Sequence, residues 1–153
     1  MNHSAKELNR DSNCESIATG VLALYPSFKK LVSGLHVKSD AVLSPSHIQV
    51  LAYLVRYETV TVSKLSKSFG IAKPNITPII DHLTDAGLVE RAHNTTDRRV
   101  VFITVLPKGV EVYNKLVAQM AEELKDMLKD MSAKDVDSLA GDLDSAAKLL
   151  SDK

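Results

Sequence analysis

The stretch from residue 62 to 106 constrains the fold most, because its hydrophobic period changes partway along it. Apolar residues first recur at spacings of three and four, which is typical of two short amphipathic helices. They are Val62, Leu65 and Phe69 in the first helix, and Ile76, Ile79, Ile80 and Leu83 in the second. Gly70 lies between the helices and Gly87 follows the second, and glycine supplies the positive φ that tight turns need. This pattern predicts a helix-turn-helix.

The pattern after Gly87 is that of a β-hairpin. Residues 88–91 are strand-like, residues 94–97 have the composition of a turn, and residues 100–105 are rich in β-branched side chains. Arg98 and Arg99 lie near the predicted tip. The short extended stretch Val60-Thr61-Val62 can add a third strand. A helix-turn-helix followed by a basic hairpin is a winged helix, so we predict a mainly α protein with a small β wing (α+β).

Three motifs in this region, in this order and spacing, resemble those of the MarR family of bacterial transcriptional regulators. Residues 85–91 (DAGLVER), 97–99 (DRR) and 105–109 (VLPKG) are similar to that family's GLVxR, D-x-R and LTxxG segments. Pro107 departs from the pattern, where the family usually has Thr or a similar helix cap, but proline is tolerated in the first turn of a helix. The resemblance covers nearly the whole chain. It implies a homodimer that binds double-stranded DNA as a repressor and is released by a small-molecule effector or an oxidant.

Amphipathic helices precede the winged region. The first has an apolar stripe at spacings of four and three: Ile17, Val21, Leu24, Phe28, Leu31 and Leu35. Pro26 lies inside this helix and should kink or split it. Ser44-Pro45 combines a helix N-cap with proline at the first helical position, which predicts the start of a second helix.

A longer apolar seam follows the wing. Its members are Val110, Tyr113, Val117, Met120, Leu124, Met127 and Met131. This 3-4 repeat suits packing against another long helix, and Ser132 to Asp135 resembles a capping box that begins a last helix. The terminal helices have more apolar surface than a small winged helix can cover. We therefore predict dimerisation through both chain ends, with an intramolecular three-helix bundle as the alternative.

These patterns divide the chain into three regions. We predict a disordered lead over residues 1–12, a helical dimerisation region over 13–42 and 108–153, and a winged helix-turn-helix DNA-binding domain over 43–107. The formal net charge is zero but unevenly distributed: residues 61–110 hold 7 basic and 4 acidic side chains, hence +3, whereas residues 111–153 hold 6 and 10, hence −4. The winged region is therefore the basic part, as a nucleic-acid partner requires.

The predicted recognition helix runs from Lys73 to Ala86. Candidate DNA-binding residues on it are Lys73, Asn75, Ile76, Thr77, Pro78 and His82. Asparagine suits bidentate contact with adenine in the major groove, and Lys73 suits a phosphate. In the alternative interpretation Asn75 is simply the helix cap, and His82 and Asp81 lie on a solvated face. Asp81 and Asp85 would repel phosphates if they pointed at the duplex.

The wing supplies the other candidates, Asp97, Arg98 and Arg99. The negative potential of the minor groove attracts arginine. In the resembled family the D-x-R pair does this work, which would correspond here to Asp97 and Arg99, with the carboxylate holding the guanidinium by two hydrogen bonds. The alternative is a solvated turn with an Asp–Arg pair worth under ~1 kcal/mol.

A small-molecule effector would bind between the dimerisation helices and the winged domain, near His36, His47 and Tyr53. We predict no metal, cofactor or enzymatic activity, because the histidines lack metal-ligand spacing and no CxxC, HExxH or phosphate-loop motif occurs. Cys14 stands next to Glu15, whose carboxylate disfavours the reactive thiolate, so the sequence gives little support for oxidant sensing there.

The sequence also bears on location and on the rival class of function. No stretch of 18 apolar residues occurs, Met1-Asn2-His3-Ser4 lacks the pattern of a signal peptide, and a single cysteine suits a reducing compartment. These features predict a cytoplasmic protein with no membrane partner. The rival function is a winged-helix interaction module that binds protein and not DNA.

Overall fold

The computed structural model of the protein describes residues 3–35 and 42–151. Its elements in chain order are α1 (His3–Gly34), α2 (Pro45–Tyr57), β1 (Thr59–Thr61), α3 (Val62–Phe69), α4 (Lys73–Asp85), β2 (Val89–His93), β3 (Val101–Val105), α5 (Pro107–Leu128) and α6 (Ala133–Ser151). The mainly α fold with a small wing, predicted from the periodicity, is confirmed.

The helix starts follow local sequence signals. Ser44 caps α2: its hydroxyl accepts from the backbone N–H of His47, and its own N–H donates to His47 Nδ1 at 3.0 Å. Pro45 begins the helix, as predicted. Thr61 caps α3 by accepting from the N–H of Lys64 at 3.1 Å. Each cap satisfies a first-turn N–H that has no partner inside the helix.

The wing is a three-stranded antiparallel sheet in the order β1-β3-β2. Val60 pairs with Ile103, and Arg91 pairs with the same residue from the other side. The predicted third strand is therefore present. Because β1 lies between α2 and α3 in the chain, this pairing fastens the hairpin to the helices.

One hydrophobic core joins the helix-turn-helix, the sheet and the start of α5. Its fully buried members are Val50, Leu51, Leu54, Leu65, Ile76, Ile80, Leu83, Leu88, Val89 and Ile103. The apolar stripes of α2, α3 and α4 all face this cluster. Burial of each large side chain stabilises the fold by about 1.5–3 kcal/mol, so the core fixes which face of α4 remains outside.

Helix α5 has two apolar faces, of which the sequence pattern identified one. Val112 and Leu116 are buried in the core of the winged domain, although neither belongs to the predicted seam. Of the seam, Val117, Met127 and Met131 are between two-fifths and one-half exposed. The seam therefore lies beside the face that the winged domain uses, and much of it is uncovered within one chain.

Helix α1 is longer than predicted and is not split at its proline. It begins at His3, so within the predicted disordered lead the described residues are helical. Residues 5–8 are Ala, Lys, Glu and Leu, all good helix formers. The helix also continues through Pro26 as a single element and is not split, because proline removes one backbone bond while the turns on both sides keep theirs.

Much of the apolar surface of the terminal helices is open to solvent in a single chain. Ile17, Val21, Leu22, Tyr25 and Phe28 of α1 are exposed, and Leu143, Leu149 and Leu150 of α6 are exposed as well. Helix α6 has no buried residue within its described part, so it is not packed into the intramolecular three-helix bundle that was the alternative. No helix in the described part of the chain is long and apolar enough to cross a membrane.

The start of α5 is pressed against the turn that ends α4. The N–H of Leu106 donates to the carbonyl of Leu88 at 2.9 Å, and Lys108 Nζ donates to the carbonyl of Ala86 at 3.0 Å. Gly109 passes so close that a Cβ there would lie 2.3 Å from the Leu88 oxygen. Only glycine fits this approach, which fixes α5 relative to α4.

Candidate nucleic-acid interface

The turn between α3 and α4 is fixed by its own hydrogen bonds. Gly70 adopts a left-handed conformation at φ 62°, where a residue with a Cβ is strained. The N–H of Ile71 donates to the carbonyl of Ser66 at 3.0 Å, and the Ser66 hydroxyl donates back to the Ile71 carbonyl at 2.6 Å. These bonds place α4 at a defined angle, with its first turn exposed.

The first two turns of α4 present Lys73, Asn75 and Pro78 to solvent. Ala72 occupies the N-cap position without a side-chain bond, so the interpretation of Asn75 as the helix cap is wrong. Thr77 is half-buried, and its hydroxyl donates to the Lys73 carbonyl at 2.8 Å. In this state Thr77 offers a partner its oxygen lone pairs and its methyl group, and not its hydroxyl proton.

Two of the predicted contact residues on α4 do not face outward freely. Ile76 is fully buried in the core, so its assignment as a DNA contact is wrong: it belongs to the apolar stripe that holds the helix in place. The His82 ring stacks on His47 with centroids 4.2 Å apart, and its Nε2 lies 3.1 Å from the Val42 carbonyl. That pairing turns His82 toward α2.

The loop of the wing is organised by Asn94. Its side-chain oxygen accepts from the N–H groups of Thr96 and Asp97 at 2.8 and 3.0 Å. The backbone N–H of Asn94 donates to the Val100 carbonyl at 2.9 Å and closes the loop. The sequence showed turn chemistry here without singling out Asn94 as the organising residue. Asn94 could be identified from the sequence, because Asn side chains often accept a hydrogen bond from the backbone N–H two residues later.

The two arginines occupy the centre of a tight turn. The N–H of Val100 donates to the Asp97 carbonyl at 2.9 Å, which places Arg98 and Arg99 between them. Asp97 Oδ1 accepts from the backbone N–H of Arg99 at 3.0 Å. The predicted pairing of this carboxylate with the Arg99 guanidinium is not observed among the described residues. Asp97 instead shapes the backbone and leaves both arginine side chains exposed.

One ion pair joins the recognition helix to the wing. Arg91 Nη2 lies 3.0 Å from Asp81 Oδ1, with side chains about one-third and one-half exposed. The sequence did not predict this contact, because the two residues belong to separate elements. It makes the Asp81 carboxylate, which would repel phosphates if it pointed at the duplex, the partner of a cation.

The predicted effector residues that the structure describes, His47 and Tyr53, lie at different positions along α2. His36 lies outside the described residues. His47 sits at the start of α2 against His82, where burial first and the neighbouring imidazole second lower the pKa of His47 below its ordinary value. Tyr53 lies further along α2, where its hydroxyl is 2.9 Å from Ser68 Oγ and its ring packs on Phe69. Tyr53 lines an open cleft.

That cleft, of about 670 Å³, lies between α2, the end of α3, α5 and α6. Its lining residues are Gln49, Ala52, Tyr53, Val55, Arg56, Phe69, Tyr113, Asp144 and Lys148. Three aromatic rings are therefore combined with two cations, and Lys148 is paired with Asp144 at 2.6 Å. Within residues 3–35 and 42–151 no group of three or more His, Cys, Asp or Glu side chains is arranged to hold a metal.

These features define a winged helix-turn-helix protein. It has a helix-turn-helix, a wing joined to it through β1, and an exposed start of α4. Residues 43–101 match the model of the MarR family. The winged region is therefore similar to the MarR family of helix-turn-helix transcriptional regulators, in agreement with the resemblance seen in its motifs.

Curated relatives are similar in sequence, and solved structures show the same fold. The chain is 27% identical over 103 residues to the HTH-type transcriptional regulator YsmB of Bacillus subtilis, a match that covers 67% of this chain and 70% of YsmB. It is 27% identical to MhqR of the same organism, over 62% of this chain and 66% of MhqR. The apo form of MarR from E. coli superposes with a TM-score of 0.70 at 19% identity, covering 84% of this chain and 94% of MarR. BldR of Sulfolobus solfataricus gives 0.64 at 24%, covering 94% and 97%.

Proposed function

We propose that the protein is a sequence-specific, double-stranded DNA-binding repressor that acts as a homodimer in the cytoplasm. The main support for this proposal is that the start of α4 and the tip of the wing, two elements suited to DNA recognition, are both exposed on one basic segment. The first turn of α4 is open to solvent, and the wing turn presents Arg98 and Arg99 at its tip. The segment that contains both, residues 61–110, has a net charge of +3.

The two elements would divide the work of recognition. The N-terminal part of α4 would enter the major groove, where Asn75 would read adenine and Lys73 would contact a phosphate. Pro78 and the methyl of Thr77 would offer apolar contact to a thymine methyl group. The wing arginines would reach the adjacent minor groove. His82 is left out of this assignment, because its ring is engaged with His47 and Val42.

The dimer would form through the helical region at both chain ends, residues 13–42 and 108–153, and leave residues 43–107 as the DNA-binding domain. The support is the exposed apolar surface of α1 and α6 together with the uncovered part of the α5 seam. A two-fold dimer places its two recognition helices so that they meet successive major grooves. Such a protein binds a pseudo-palindromic operator whose half-sites lie about one helical turn apart.

A small aromatic anion is the effector that we propose, and the cleft that Tyr53 lines is where we place it. Its aromatic rings offer stacking surface, and Arg56 offers a cation at the rim. One structural neighbour is NadR in complex with 4-hydroxyphenylacetate. An effector there would contact α5 and α2 together, and α5 is fastened to the end of α4 at Leu88. Binding would thereby change the spacing of the two recognition helices.

The test of DNA binding uses the full chain, a random-sequence duplex and a duplex selected from a random library. Fluorescence anisotropy at several salt concentrations gives the affinity and its salt dependence. Arg98→Ala and Arg99→Ala should each lower the affinity, and the slope of log affinity against log salt should fall by about one unit for a residue that releases a condensed cation. The family motif favours Arg99 as the larger effect. Lys134→Ala is the matched control, because Lys134 is an exposed cation remote from the wing.

Two results would count against the proposal. Absence of salt-sensitive binding to either duplex would favour the winged-helix interaction module. If both wing variants have the same DNA affinity and salt dependence as the control, the wing is not part of the DNA interface. Assembly is tested separately by sedimentation at micromolar concentration, where one species of twice the chain mass is expected. Leu124→Lys in the seam should dissociate it, whereas Asn114→Lys on the exposed face of α5 should not.

A further inference from the structure

The ion pair between Arg91 and Asp81 differs from the other ion pairs in the described part of the chain. It joins two separate elements, α4 and β2, over 3.0 Å. The remaining three, Lys115–Glu111, Lys125–Glu122 and Lys148–Asp144, each lie within a single helix at spacings of three or four residues. A pair between elements can fix their relative position, which a pair within one helix cannot.

The pair is placed where the two DNA-reading elements meet. Asp81 follows Pro78 by one turn of α4, and Arg91 is the middle residue of β2, two residues before the strand ends at the wing loop. A second acid, Asp85, stands one turn after Asp81 and is exposed. Glu90 precedes Arg91 and is also exposed. Arg91 is therefore the cation that offsets a locally acidic part of an otherwise basic module.

This ion pair should contribute little to the stability of the fold. Exposed ion pairs contribute little to folding, because water screens them and two side chains must be ordered. The side chains here are 32% and 50% exposed. A carboxylate near a DNA phosphate acts differently, since repulsion between like charges is felt only when the duplex is bound. The pair should therefore affect DNA affinity far more than unfolding.

We propose that Arg91 is a positioning residue for DNA recognition, which acts by neutralising the Asp81 carboxylate on the recognition helix. This proposal rests on the proposed DNA-binding function and deepens it. Arg91 acts through Asp81 and does not itself contact the duplex. Once Arg91 is lost, the free Asp81 carboxylate repels the phosphates that the first turn of α4 approaches.

The experiment is a double-mutant cycle with the full chain and the selected duplex. Arg91→Gln keeps most of the side-chain stem, and Asp81→Asn keeps the shape of the carboxylate. Arg91→Gln should weaken binding by roughly three- to tenfold, the scale of one uncompensated charge near a phosphate in a partly hydrated interface. Asp81→Asn should bind within about twofold of the wild type. The double variant should recover to about the Asp81→Asn level, because the repelling charge is gone.

Two controls separate this role from a general effect. The same cycle at Glu111 and Lys115, an exposed pair within α5, should leave affinity unchanged. Denaturant midpoints of all variants should stay close to that of the wild type, which shows that the wing and helix remain folded.

The outcomes distinguish the levels of the proposal. If the double variant binds as weakly as Arg91→Gln and the salt slope falls by about one unit, Arg91 contacts phosphate directly and the positioning role is overturned. If Arg91→Gln binds like the wild type, the pair is irrelevant to recognition and the proposal is likewise overturned. If the wild type itself shows no salt-sensitive binding, the proposed function fails and this inference fails with it.

Discussion

Gly109→Ala tests the contact between α5 and the end of α4 most directly. A Cβ at residue 109 would lie 2.3 Å from the Leu88 carbonyl oxygen and 3.0 Å from Val105 Cγ2. The nearer atom belongs to the backbone and cannot rotate away. Relief would require α5 and the Leu88 turn to move apart, since real Cβ atoms essentially never lie within 3.0 Å of such an atom.

The cost has two parts and one offset. Forced overpacking costs typically about 1–3 kcal/mol, and loss of the bond from the Leu106 N–H to Leu88 would add about 0.5–1.5 kcal/mol. Alanine in place of glycine returns up to about 1 kcal/mol of helix propensity. We therefore expect the free energy of unfolding to fall by about 0.5–3.5 kcal/mol.

Gly141→Ala is the matched control. Gly141 lies inside α6, where a Cβ would meet nothing within 4 Å in the same chain. The same substitution should there raise stability by up to about 1 kcal/mol through helix propensity alone. Urea unfolding at one fixed protein concentration gives both values, since assembly makes stability depend on concentration. If Gly109→Ala matches or exceeds the wild-type midpoint, α5 does not approach Leu88 as described.

Two further predictions concern α2. Glu58, which ends this helix, has φ 60° and ψ −59°, a strained conformation for a residue with a Cβ. Glu58→Gly should therefore raise the free energy of unfolding, measured by urea titration, by about 0.5–1 kcal/mol. A loss of stability would show that the backbone is not strained there. His47 has a pKa lowered below its ordinary 6.5 by burial and by His82. Because the unfolded chain then binds more protons than the folded chain, stability should be full above pH 6.5 and should fall as the pH drops through 6.5 toward the lower folded-state pKa. His47→Gln, which can keep the capping box with Ser44, should show a smaller loss of melting temperature between pH 7.5 and 5.5, and an unchanged loss would exclude His47 as its source.

The sequence alone determined the order and type of most elements and the family that the winged region resembles. Helix stripes, Gly70 and Gly87 in the turns, and the β-branched run of β3 are local signals, because period, caps and turn residues act within a few positions along the chain. The same locality made α4 and the wing identifiable as candidate DNA-reading elements. Residue motifs then pointed to the MarR family before any contact was known.

Tertiary structure decided which side chains those elements present. The helical spacing of apolar residues identified the apolar stripe of α4. Only the packing of the helix showed that Ile76 is buried in the core and that His82 turns toward His47. The pairing of Asp81 with Arg91 joins residues from separate elements, so no local pattern could predict it. The second apolar face of α5, with Val112 and Leu116, became visible only once the winged domain lay against it. A sequence records which residues are near along the chain, whereas contacts between elements depend on how those elements fill space together.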